Sequence, residues 1–294
     1  MHMNTFEKGE SEMNTATGRV TILTDNVVPG KSEAIGEHGF CAYVETRNGN
    51  FLFDTGHGKT VVHNALLFKK DLSRINKIVL SHAHGDHTGG LPEVLRCRSQ
   101  KQIDVYAHPD IFSYAFTKKK EGETYNGIPF TRGYLEKMGA RFIFNREWVE
   151  IESGIYLTGE VPRNTAFERA DMADRFVRRN GEEVPDIILD DQSMAICTGK
   201  GILIVLGCAH SGIVNVVNHI IQNAGIEAIY GIVGGTHLGF SEEAQLRESI
   251  NALKSYRIQH FIPSHCTGLE VISRMKQEFE KAFRFSHVGL SLEF

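Results

Sequence analysis

No apolar run in this 294-residue chain approaches the length of a membrane-spanning helix, so no transmembrane segment is expected. Met1 to Gly18 is polar and has no apolar stretch, so no secretory signal is expected either. Cysteine is sparse: Cys41, Cys97, Cys197, Cys208 and Cys266 are odd in number and widely spaced, with no C-x-x-C pair. That pattern argues against a disulfide framework and for a reducing compartment, and a cytoplasmic location is expected. A basic excess is also missing. The 32 Lys and Arg are outnumbered by 36 Asp and Glu, for a net charge of −4, which leaves no electrostatic footprint for nucleic acid. The one basic run, Lys118-Lys119-Lys120, reads as a solvated loop. No tandem repeat occurs at solenoid periods.

What is present is ordinary for a globular protein: 41% hydrophobic and 23% charged residues, in a chain long enough for one large domain or two small ones. A first strand is expected over Arg19–Thr24, ending at Asp25-Asn26. Gly39–Glu45 and Phe51–Phe53 read as a hairpin around Arg47-Asn-Gly-Asn50. Lys59–Lys69 has helical spacing, Lys77–Leu80 reads as a buried strand, Leu91–Cys97 as a helix and Ile103–Ala107 as a strand. From about residue 117 to 184 charge runs surround one clear strand, Gly154–Thr158, and the stretch reads as an insertion or cap, partly mobile. Regular elements then resume. Strands are expected over Asp186–Cys197, Gly201–Leu206, Ile226–Val233 and Gln259–Ile262, and helices over Ile213–Asn223, Ser241–Tyr256 and Val271–Phe283. Strands first and helices afterwards in each half predict two face-to-face sheets covered by helices, an α+β fold. The expected organisation is a polar N-terminal segment, 1–18, followed by a single domain, 19–294.

The chemistry is concentrated in Ser81-His82-Ala83-His84-Gly85-Asp86-His87, an H-x-H-x-D-H cluster. With 14 histidines in the chain, three fixed positions would all be His by chance in roughly one window in ten thousand, so the cluster calls for a chemical reason. It follows a buried strand, where a loop is carried on a rigid base. In extended backbone His82 and His84 point to one side and can share an ion. Gly85 offers a bend that would carry Asp86 and His87 toward a second ion, and Gly89-Gly90 permit close backbone approach. Imidazole and carboxylate suit zinc, manganese or iron(II).

Phe51-Leu-Phe-Asp54-Thr-Gly56 followed by Leu80-Ser-His-Ala-His-Gly-Asp-His-Thr-Gly-Gly-Leu91 resembles the first two motifs of the metallo-β-lactamase superfamily. The resemblance implies an αββα four-layer sandwich with metals at one edge, and a role for Asp54 in orienting the metal loop. Further segments narrow it: Glu37-His38-Gly39-Phe40, Thr158-Gly-Glu-Val-Pro-Arg163, Leu206-Gly-Cys-Ala-His-Ser-Gly-Ile-Val-Asn215, Gly234-Gly-Thr-His-Leu238 and Pro263-Ser-His-Cys-Thr-Gly268. This set is similar to the subgroup named for 7,8-dihydropterin-6-yl-methyl-4-(β-D-ribofuranosyl)aminobenzene 5′-phosphate synthase. The similarity runs from about Thr21 to Gly268 and is weakest across the insertion.

In the light of that resemblance the expected ligands are His82 and His84 for a first ion, and Asp86, His87 and His265 for a second. Most superfamily members carry a bridging aspartate where this chain has Gly207-Cys208. Either Cys208 replaces it, or His210 serves instead, with His210 preferred and an inert packed Cys208 the alternative. Glu160 is open as an oxygen ligand or as a partner of Arg163 that only shapes the pocket. His38 and His237, on glycine-flanked loops, are candidate catalytic acids or substrate contacts alongside Asp86, with hydrogen-bonded loop histidines the bland alternative. His2, His63, His108, His219, His260 and His287 have no motif around them and read as surface or structural.

Two divalent ions, zinc first with manganese or iron as alternatives, would activate a hydroxide or assist loss of a phosphate-type leaving group. The expected partner is a small anionic, phosphorylated or pterin-like substrate, with no nucleic acid and no membrane; a homo-oligomer is compatible with the sequence. Two other readings compete. The metal loop is also similar to that of tRNA 3′-processing phosphodiesterases, against which the acidic balance and absent bridging Asp count. A non-catalytic metabolite-binding effector is the third.

Overall fold

The computed structural model describes residues 14–98, 102–169, 174–179 and 181–294. In chain order the strands are β1 (Gly18–Thr24), β2 (Cys41–Thr46), β3 (Asn50–Phe53), β4 (Ile75–Val79), β5 (Ile103–Ala107), β6 (Tyr114–Lys119), β7 (Gly122–Tyr125) and β8 (Ala140–Phe144). They continue with β9 (Val149–Glu152), β10 (Ile155–Leu157), β11 (Arg175–Arg179), β12 (Glu182–Pro185), β13 (Met194–Thr198), β14 (Gly201–Leu206), β15 (Ile229–Gly235), β16 (His260–Ser264) and β17 (Ser291–Glu293). The helices are α1 (Val61–Leu67), α2 (Gly85–Thr88), α3 (Leu91–Arg96), α4 (Arg132–Lys137), α5 (Ile213–Ala224), α6 (Glu243–Ser255) and α7 (Leu269–Phe279).

A seven-stranded sheet runs β17-β1-β2-β3-β4-β5-β8, and a six-stranded sheet runs β16-β15-β14-β13-β10-β9. The apolar pattern dictates how they stack. In β14 the alternation is complete: Leu203 and Val205 enter the layer between the sheets with Phe51, Phe53 and Val79, while Ile202, Ile204 and Leu206 pack against Val216, Val217 and Ile220 of α5. A strand buried on both faces has to be apolar throughout, and β14 is. On the far side of the first sheet, Leu52 and Ile78 pack against Val61 of α1 and Leu91 and Val94 of α3. The three layers define the expected αββα sandwich, and each buried aliphatic side chain contributes roughly 1.5–3 kcal/mol.

Strands β3, β4, β5 and β8 pair in parallel, as do β14, β15 and β16. The loops after β3, β4, β14, β15 and β16 leave the C-terminal strand ends, where open α/β sheets place their ligand crevices. Those loops carry Asp54, the His82–His87 cluster, Cys208 and His210, His237, and His265.

The structure departs from the sequence reading in several places, among them Lys118 and Lys119, which lie in β6 rather than in a loop. The stretch 117–184 is not one insertion: β8 belongs to the first sheet and β9 and β10 to the second, while β6, β7, β11 and β12 form a separate four-stranded sheet, β12-β11-β6-β7. Asp186–Cys197 is a strand only from Met194; the preceding residues form a loop that turns at Ile188 with a left-handed φ of 54°. The polar segment expected over 1–18 lies outside the described residues as far as Met13. From Ala16, whose N–H donates to Cys197 O at 2.7 Å, the chain is part of the sandwich. Among the described residues no helix is long and apolar enough to cross a membrane, and all five cysteines are free thiols.

Candidate metal centre

The centre begins with Asp54, fully buried just past β3. Its Oδ1 accepts the backbone N–H of Ser81 at 2.7 Å, and its Oδ2 accepts Ser81 Oγ and His87 Nδ1, both at 2.7 Å. Ser81 Oγ also lies 2.8 Å from His82 Nδ1. This relay runs from His82 Nδ1–H to Ser81 to the carboxylate. With both Nδ1 atoms engaged, the Nε2 atoms of His82 and His87 point away from the relay, the orientation that ligation requires. Glycines let chain segments close in around it: a Cβ at Gly207 would sit 2.2 Å from the side-chain Oγ of Ser81, and one at Gly90 would sit 2.1 Å from the backbone O of Thr55. Gly85, by contrast, lies in ordinary helical backbone, and a Cβ there would meet nothing within 4 Å. The turn of α2, rather than a glycine bend, swings Asp86 and His87 away from His82 and His84.

Two triads of donor atoms result. In the first, His82 Nε2 lies 2.9 Å from His84 Nδ1 and 3.3 Å from His210 Nε2. In the second, His265 Nε2 lies 3.2 Å from Asp86 Oδ2 and 3.3 Å from His87 Nε2, and His87 Nε2 is 3.7 Å from Asp86 Oδ2. Cys208 Sγ is 3.2 Å from His87 Nε2. Burial pushes His82 and His210 well down and His84 to about 3, leaving neutral rings with free lone pairs. Burial also opposes the charged form of His87, but the carboxylates of Asp54 and Asp86 outweigh it and raise the ring to about 9. Asp86 is held well below the usual carboxylate range: burial works the other way, and His87, His265 and His38 overcome it. Converging imidazoles that cannot all be protonated, with an ionised carboxylate among them, fit divalent cations of the zinc type.

Positions without any motif of their own hold these donors in place. The loop after β12 clamps two histidine segments at once. Asp190 accepts the N–H of Ala83 at 2.7 Å, while Asp191 accepts the N–H and hydroxyl of Ser211 at 3.1 and 3.0 Å. Asn26 Oδ1 lies 3.1 Å from His265 Nδ1. Five residues around the centre, Asp54, Ile188, Ala209, His237 and His265, have left-handed φ without being glycine. Such backbone costs of order 1–3 kcal/mol per residue and is concentrated at functional sites.

The remaining expected residues divide. His38 is brought to the edge, its Nε2 3.2 Å from Asp86 Oδ2, and that carboxylate raises its pKa. His237 packs its ring 4.2 Å from that of His210 and 4.8 Å from that of Phe240, and both of its buried ring nitrogens lack a hydrogen-bond partner. Glu160 does not join the centre and does not pair with Arg163. Its Oε1 meets His108 Nε2 at 2.9 Å and Arg146 Nη1 at 2.5 Å, because those side chains leave the neighbouring ends of β5 and β8. Arg163 instead donates to the carbonyl of His210 at 2.6 Å and to that of Ile187, bracing the His210 loop from behind.

A cavity of about 670 Å³ opens over the donors, lined by His38, Asp86, Tyr125, Phe130, Arg175 and His265 among others. The small sheet forms its roof through Thr117, Tyr125 and Arg175, and Arg175 Nη1 lies 3.3 Å from His84 Nε2. A second cavity of about 460 Å³, lined by Phe167, Arg169 and Gln245, shares His210, His237 and Phe240 with the first. His57, for which the sequence offers no role, also lines the larger cavity.

The sequence profile of the metallo-β-lactamase superfamily matches residues 34–165. A Methanocaldococcus jannaschii protein named 7,8-dihydropterin-6-methyl-4-(β-D-ribofuranosyl)-aminobenzene-5'-phosphate synthase is 30% identical over 284 residues, covering 94% of this chain and 96% of that protein. The crystal structure of Tm1679, described as a metal-dependent hydrolase of the β-lactamase superfamily, superposes with a TM-score of 0.80 at 27% identity, covering 94% of this chain and 99% of that one. Ribonuclease Z of Listeria innocua is 30% identical over 119 residues only, 39% of this chain and 33% of that protein. The chain belongs to the metallo-β-lactamase superfamily and is an enzyme of that superfamily.

Proposed function

We propose that the protein is a two-metal enzyme acting on a small phosphorylated or pterin-like substrate. The observation that carries this reading is the pair of donor triads, His82-His84-His210 and Asp86-His87-His265, facing one another under a roofed cavity. The first triad would hold one cation and the second the other, zinc being the first choice and manganese or iron the alternatives. When bound, such cations supply Lewis acidity toward a phosphoryl oxygen and lower the pKa of water.

The chain's own residues do the rest. Arg175 gives the cavity wall a guanidinium suited to an anionic group. Tyr125 and Phe130 offer aromatic surface to a ring system. His237, at the junction of the two cavities with both ring nitrogens unpartnered, is placed to give a proton to a leaving group. His38, more exposed and paired with Asp86, is the alternative donor. The near-full-length match to the synthase supports a condensation in which a phosphate-type group departs, with hydrolysis of a phosphoester as the simpler use of the same site. The ribonuclease match, limited to 39% of the chain, supports the nucleic-acid reading less.

Metal analysis of the purified protein, run beside phosphatase, phosphodiesterase, lactonase and pterin-condensation assays, tests this. Two equivalents of metal and metal-dependent turnover of a phosphorylated substrate are expected. A protein that binds no divalent ion would overturn the proposal, and metal binding without turnover of any substrate would favour a metabolite-binding effector.

A further inference from the structure

We infer that Cys208 serves both cation positions as a shared thiolate, so that the centre is a mixed nitrogen–sulfur one that selects thiophilic ions. This rests on the two-metal reading above. Cys208 lies past Gly207 at the C-terminal end of β14, buried between the triads. Its Sγ falls in three compact donor sets, each with all atoms within 4.8 Å of one another: with His82 and His87, with His210 and His237, and with His265 and Cys266. The first set already spans both triads, and the other two reach His210 of the first and His265 of the second. Donors around a tetrahedral ion at ordinary zinc–nitrogen and zinc–sulfur lengths stand about 3.3–3.8 Å apart. The 3.2 Å between Cys208 Sγ and His87 Nε2 is close to that spacing.

A cysteine packed for bulk alone would face carbon, whereas this one faces ring nitrogens. Cys266, the other sulfur nearby, enters only the set with His265 and is also tied to backbone: it receives the N–H of His237 at 3.2 Å and directs its Sγ at the carbonyl of Cys208 at 3.8 Å. Cys266 therefore positions the His237 and Cys208 loops, and Cys208, the one sulfur common to all three sets, is the sulfur assigned to the cations. Binding of the cations releases the Cys208 thiol proton to solvent and leaves one sulfur anion between two positive charges. Thiolate favours zinc or iron over manganese and magnesium.

Loading the full-length protein with cobalt(II) reads the bond directly, through the near-ultraviolet sulfur-to-cobalt charge-transfer band. The band is expected in the wild type and in Cys266→Ser, and is expected to be lost in Cys208→Ser and Cys208→Asp. Cys208→Asp, whose carboxylate can also span two ions, should still take up two cobalt ions per chain, and it carries the comparison if Cys208→Ser does not fold. Two bound cobalt ions with no band in the wild type would overturn the thiolate while leaving the two-metal reading intact. A band that survives in Cys208→Ser would overturn it in favour of Cys266. Failure to bind cobalt at all would remove the two-metal reading and this inference together.

Discussion

Asp54 holds three donors with one carboxylate, and its replacement by an amide of the same shape separates charge from size. Asp54→Asn would present N–H groups to a side that needs acceptors. Losing such an outer contact to a ligating histidine typically lowers metal affinity 10–100-fold, and chelator competition should read a loss in that range. His84→Ala, which removes a proposed ligand outright, should bind one ion fewer per chain and lose turnover; unchanged metal content would refute the composition of the first triad. Asp190 gives a pH signature. Burial first, then the charge of Asp186, raises its carboxyl to about 7 from the ordinary 3.8, even though Ala83 N–H favours the ionised form. Its contribution to stability is therefore complete below the unfolded value and is lost as pH rises through about 7. Urea midpoints should fall across that window in the wild type and fall less in Asp190→Asn. The H-x-H-x-D-H residues are legible because they are neighbours in sequence. The place of Glu160 is not, because its partners, His108 and Arg146, reach it only through the pairing of β5 with β8.

Among the elements, α5 depends on a residue that the sequence buries inside a charge run. Glu168 is itself buried in the fold, and its two carboxylate oxygens accept the N–H groups of Val214 and Asn215, each at 2.8 Å, at the first turn of the helix. It caps α5 from a distant loop, and no local pattern announces such a cap. Glu168→Ala should destabilise the fold by about 0.5–2 kcal/mol, the ordinary cost of a lost N-cap, read as a lowered denaturant midpoint. The strands that carry the site are legible where both faces are apolar, as in β14. The loop after β12 reads as strand because Asp190 and Asp191 stand between the apolar Ile187–Leu189 and the apolar β13. Their carboxylates turn inward to backbone N–H groups of the two histidine loops, a use that no period-two or helical pattern records.

At the scale of the whole molecule, the donors come from the ends of strands in both sheets: β4 of the first, and β14 and β16 of the second. On the two-metal reading each cation would join the first sheet to the second, one through the β4 and β14 ends and the other through the β4 and β16 ends. Saturation at a hundred times the dissociation constant would add about 2.7 kcal/mol to the unfolding free energy. Removal of metal by a chelator should therefore lower the melting temperature as well as abolish turnover, and re-addition of zinc should restore both. The layered architecture is readable from the order of strands and helices. The small third sheet is not, because β6–β7 and β11–β12 are short, charged hairpins about fifty residues apart whose pairing is set only by the completed fold.

That third sheet belongs to neither half of the sandwich, yet it supplies Thr117, Tyr125 and Arg175 to the ceiling above the donors. On the proposed reading, the part that would grip metal and the part that would meet the rest of a substrate are built on different strands. Exchanging the two hairpins could retune which molecule is admitted while the machinery beneath stays as it is, a division of labour that would let one catalytic floor serve under many roofs.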